Sequence, residues 1–108
     1  MGIGLAVLTA GGKKNVASAG TRVQLTSSAN HTNLHYLTIQ ADEDNGADIM
    51  FIGDVTVTGD LYVRELAAGE VFEIYSPSGG GAAIGQIDAT KIYLDASADN
   101  NDVQWGYF

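Results

Sequence analysis

With 108 residues and no cysteine, the chain has room for one domain and none for disulfide staples, thiolate metal sites or thiol nucleophiles. Thirteen acidic residues against five basic ones leave a formal net charge of −8, which repels nucleic acid and anionic membranes at long range. Scaling gives a folded surface of roughly 5,700 Å², so the single core is small and self-association would add to it.

The chain opens on an apolar segment, Ile3 to Leu8, followed by Gly11-Gly12 and the pair Lys13-Lys14. The run is too short to span a membrane, and its charges follow the apolar part where those of a signal peptide would precede it. Ala6 stands where N-myristoylation wants Ser or Thr. Residues 1–15 therefore read as an arm hinged at the glycines, which either folds back as an edge strand or reaches a partner. Residues 16–108 read as the domain proper.

From Arg22 to Thr26 the residues alternate, with Val23 and Leu25 on one face, the period of a half-buried strand. Ser27 to Asn33 is polar and loop-like. Leu34 to Gly53 then carries two apolar runs around Asp42-Glu43-Asp44-Asn45-Gly46, and an Asn-Gly step between such runs predicts a β-hairpin. In the first run Leu37, Ile39 and Ala41 share a face with His35, opposite Leu34, Tyr36, Thr38 and Gln40. In the second, Ile49 and Phe51 oppose Met50 and Ile52, so both faces are apolar and each must be covered.

Val55 to Arg64 shows the cleanest alternation in the chain, interrupted by Thr58-Gly59-Asp60, so one long strand or two short ones are expected. A turn at Leu66 to Glu70 leads into a strand at Val71 to Tyr75. Pro77 and the glycines of the loop from Ser78 to Ala83 form an excursion. No Lys-Ser/Thr follows that would make it a phosphate cradle. Lys91 to Ser97 and Val103 to Phe108 are further strands, with a turn at Asp99 to Asp102 between them. Seven or eight strands with no helical period predict an all-β antiparallel sandwich or barrel.

Sites are sparse. His31 and His35 lie four residues apart across a loop and a strand, too distant for easy chelation, and read as solvated or packed. The acidic turn at Asp42 has calcium-loop composition, but its glycine comes one position early and Gly53 stands where the closing Glu belongs. There is no G-x-S-x-G and no triad context for either histidine, so neither an enzyme nor a bound metal or cofactor is expected. Tyr62, Tyr75, Tyr93, Trp105, Tyr107 and Phe108 form either cross-strand core pairs or a sugar-stacking platform. Trp105 and Tyr107 share one face by alternation and are candidates for an oligomer contact. Ile3, Leu5, Val7 and Leu8 with Lys13 and Lys14 are candidates for contact with a larger partner or a neighbouring protomer.

Five segments, Ala19 to Ser28, Leu37 to Ala41, Asp44 to Gly53, Leu66 to Glu70 and Lys91 to Ser97, taken in order, resemble a family of small bacteriophage virion proteins. These occur as head decoration (cement) proteins and as modules of head or tail appendages. The resemblance implies a jelly-roll-like β-sandwich that forms trimers or occupies symmetry positions on the capsid exterior, bound to the major capsid protein. The alternative is a glycan- or receptor-binding module of a tail fibre or head appendage. The arm at residues 1–15 and the glycine loop lie outside the family pattern.

Overall fold

The computed structural model describes residues 8–76 and 86–108. They form eight strands: β1 (Thr9–Val16), β2 (Val23–Gln24), β3 (Tyr36–Ala41), β4 (Met50–Gly53), β5 (Arg64–Leu66), β6 (Val71–Tyr75), β7 (Tyr93–Ala96) and β8 (Asn101–Tyr107). One sheet has the order β1-β8-β3-β6 and the other β2-β7-β4-β5, every pairing being antiparallel. This is the strand order of an eight-stranded jelly roll, two Greek keys wound into a sandwich. The only helical turns among the described residues are short 3-10 ones at Ala29–His31, Glu43–Asn45 and Ala89–Lys91.

The core forms where the inner positions of both sheets meet. Leu37 and Ile39 of β3 and Val103 of β8 pack against Met50, Leu66 and Leu94 of the other sheet, all fully buried. In β3 the pleat carries Leu37 and Ile39 inward and leaves their neighbours closer to solvent, whereas in β4 and β7 the neighbours Phe51 and Asp95 are buried as well.

Two expectations change. The predicted hairpin is absent: β3 pairs with β6 and β8, whereas β4 pairs with β5 and β7, so the acidic turn carries the chain from one sheet to the other. Asp42 caps its 3-10 turn by accepting from the Asp44 N–H, and Gly46 closes it at φ 64°. The Asn45 side chain then locks the crossover to β8, donating to the Asp102 carbonyl at 2.9 Å and accepting from the Asp102 N–H at 3.0 Å. The strand expected over Val55 to Arg64 is mostly a loop, with an isolated bridge between Thr58 and Leu61 and only Arg64 onward in β5. That loop folds over the second sheet. Val57 is buried, Tyr62 packs on Phe51 at 5.1 Å between centroids, and Gly59 lies beside the same ring. The second apolar face of β4 is thus covered by the chain itself.

Of the segment read as an arm, Thr9 to Asn15 is built into β1, the edge strand paired with β8. A bulge falls between Ala10 and Gly12, and Gly12 adopts φ 114°, a left-handed conformation that glycine accepts without strain. Residues 1–7 and the glycine loop at 78–83 lie outside the described residues.

Candidate functional site

Sequence-predicted site residues are dispersed. Ile3, Leu5 and Val7 lie outside the described residues, and Leu8 is exposed at the head of β1. Lys13 points from β1 onto the outer face of the first sheet and pairs with Asp42 at 3.2 Å. Lys14 lies opposite Val103 in the ladder and is half-buried. Trp105 and Tyr107 turn inward. Trp105 is only 6% exposed and Tyr107 packs on the core, because they share a face of β8 with Val103. An oligomer contact through Trp105 is thereby corrected: its surface is already spent inside the sandwich. His31 covers both rings edge-on, at 5.0 and 4.8 Å between centroids, while its Nδ1 meets the Thr26 hydroxyl at 2.8 Å. His35 lies exposed on the chain entering β3, apart from it.

The carboxylate of the acidic turn at Asp42 is spent within the protein. The Asp42 carboxylate accepts from the Asp44 N–H, the Lys13 ammonium and the Gln104 amide, and these bonds hold it below the usual carboxylate range. The same pairing raises the Lys13 ammonium above its ordinary value. Among the described residues no group of three or more His, Asp or Glu side chains is placed to hold a metal ion.

What the fold does assemble is an open face. On the outer side of the first sheet, Val71, Glu73 and Tyr75 of β6 stand beside Tyr36, Thr38 and Gln40 of β3, next to Gln104 and Gly106 of β8. Tyr36 sits between Tyr75 and Phe108, at 5.1 and 5.2 Å between centroids, so three rings make a row across three chain segments. Glu73 pins the row by accepting from the hydroxyls of Tyr36 and Tyr75. The Glu73 hydrogen bond pushes the Tyr36 phenol up, and the Glu73 charge does the same to Tyr75. Beside the rings, over Gly106, a depression of about 270 Å³ is lined by Leu8, Ala10, Thr38, Gln40 and Gln104. Tyr75 is 65% exposed and Phe108 40%, large ring areas left to water on an otherwise acidic domain.

The sequence carried part of this. Tyr75 and Phe108 are among the aromatic candidates, and alternation puts Tyr36, Thr38 and Gln40 on the side away from the core. It could not show that β6 and β8 flank β3, which is what brings the three rings together. Comparison with protein-family models, with curated proteins and with solved structures found no match.

Proposed function

We propose that this chain is a bacteriophage virion structural protein that binds the assembled capsid from outside and stabilises it as a decoration protein. The observation that carries the proposal is the outer face of the first sheet, where exposed Tyr75 and Phe108 flank half-buried Tyr36, with Glu73 bonded to both tyrosines and Gln40 and Gln104 alongside. Aromatic anchors of fixed rotamer with a polar rim are what a protein contact uses most effectively. The jelly roll and the segments between Ala19 and Ser97 that resemble small phage virion proteins support the same reading. Binding needs no covalent step. Weak contacts to neighbouring copies of the major capsid protein, repeated by symmetry through a homotrimer, add up to an avidity that a single copy lacks.

Cosedimentation with expanded heads of the encoding phage tests this. The folded chain is expected to pellet with the heads, and Tyr75→Ala to weaken binding about tenfold or more. A folded wild-type chain that stays in the supernatant refutes the proposal.

The same row of rings, with amide and carboxylate groups beside it, favours one second reading: a glycan-binding module of a tail fibre or head appendage. A glycan array separates the two. A specific hit lost in Tyr75→Ala, together with no binding to heads, selects the second.

A further inference from the structure

A sandwich has four edge strands, and each is a template for another chain unless something blunts it. Here three are blunted. Edge β1 carries a bulge and the lysines Lys13 and Lys14, β2 is two residues long, and β5 is three. Strand β6 is different: five residues in unbroken register with β3, no proline, no lysine, and its one charge, Glu73, tied to Tyr36.

Its hydrogen-bonding phase is fixed at both ends. The Ser76 N–H donates to the His35 carbonyl and the Ala41 N–H to the Glu70 carbonyl. Antiparallel alternation then turns the main-chain groups of Phe72 and Ile74 toward β3 and those of Val71, Glu73 and Tyr75 outward. Among the described residues those outward groups have no hydrogen-bond partner. Beside the same edge, between the two sheets, lies an open, mainly apolar cleft of about 320 Å³ lined by Ile52, Val63, Phe72, Ile74 and Ile92, together with Gly53 and Asp54. A strand added to β6 would satisfy the outward groups and send alternate side chains, those opposite Phe72 and Ile74, into that cleft.

We infer that β6 accepts the segment Ile3 to Val7 of a second copy of this chain. The segment has the required period: Ile3, Leu5 and Val7 for the cleft, alternating with Gly4 and Ala6, small enough to lie beside Val71, Glu73 and Tyr75. It carries no side-chain charge, whereas a second β6 in the same place would set Glu73 against Glu73. It cannot serve its own β6. Thr9 lies on the opposite edge of the sheet, four strand spacings or about 19 Å from the docking position, and the two residue steps from Val7, the last docked residue, to Thr9 extend to only about 7 Å. Passing between copies, the contact closes either as a reciprocal exchange in a pair or as a ring. This inference rests on the homo-oligomer of the proposed function and supplies its contact.

The test is amide hydrogen exchange on the full chain, with molar mass measured by light scattering on the same samples. Leu5→Asp places a charge in the donor segment. Val63→Asp does so at the mouth of the cleft, from a residue 73% exposed that the fold does not depend on. The wild type is expected to be oligomeric with the Val71, Glu73 and Tyr75 amides protected. Both variants should be monomeric, with those three amides exchanging about tenfold faster or more and those of Leu37 and Ile39 unchanged. A monomeric wild type, an oligomer that survives Leu5→Asp, or an oligomer with the three amides open would each overturn the inference. So would protection that appears only when heads are added, because β6 would then take a capsid strand. Cosedimentation is scored separately: heads bound with the amides open sinks only this inference, and amides protected without head binding sinks only the decoration reading.

Discussion

Gly11 has no room for a methyl group, because a Cβ built there runs into the indole of Trp105. The flat ring lies directly on the β1 backbone, with His31 closing it from another side. Gly11→Ala should therefore cost about 1–3 kcal/mol by forcing the ring out of place. Trp105 is the only tryptophan, so the urea midpoint and the emission maximum of one fluorescence titration report the loss and the ring's exposure together. In the sequence the pair Gly11-Gly12 reads as a hinge, since glycine serves a flexible joint and a close approach equally well. Only the position of Trp105 decides between them. Asp42 gives a second prediction at this scale. Its carboxyl sits below the ordinary value of 3.8, first because of the Asp44 N–H and then because of Lys13 and Gln104. A depressed folded value means that its contribution is complete above the unfolded pKa and is lost as pH falls through the folded one. Asp42→Asn should flatten the fall in stability below about pH 4 while leaving the share of Asp54, which the Thr56 hydroxyl depresses in the same sense. Urea midpoints taken across the acid range check it; an unchanged acid limb would deny Asp42 this role.

Among the elements, the acidic turn shows most clearly where local chemistry stops. Asn45 and Gly46 do make a turn, but a turn does not say whether the strands on either side of it pair. That is settled by β6 and β8, which lie far along the chain and claim both edges of β3. Asn45 is consequently a clamp between the crossover and β8, and Asn45→Ala should cost about 1–3 kcal/mol by leaving the Asp102 N–H without its partner. Thermal unfolding would show it, and Asn45→Asp, which keeps the acceptor but sets a carboxylate oxygen against the Asp102 carbonyl, should not restore the wild-type midpoint. The run from Val55 to Val63 illustrates the converse. Its period of two comes without a strand, because Val57 and Tyr62 are apolar in order to cover Phe51. By contrast β6 is legible to the residue and β3, β7 and β8 to within about two residues at their starts, since each run is rich in β-branched or aromatic residues and bounded by polar turns.

For the whole molecule, the all-β class follows from the density of short alternating runs and the absence of a helical period, whereas the strand order depends on pairings between distant residues. The proposed site shares that limit: its rings come from β3, β6 and the end of the chain. The longest-range pairing has a kinetic consequence. Thr9 lies opposite Tyr107, so the first described strand and the last are neighbours, and the sheet is completed only when the two ends of the sandwich find each other. Closing so large a loop is slow. A circular permutant that joins Phe108 to Thr9 through a short linker and opens the exposed loop at Gly59-Asp60 would turn this pairing into a local hairpin. It should keep the same fold and refold several times faster in stopped-flow measurements of Trp105 emission. An unchanged rate would place the barrier at the crossovers between the sheets.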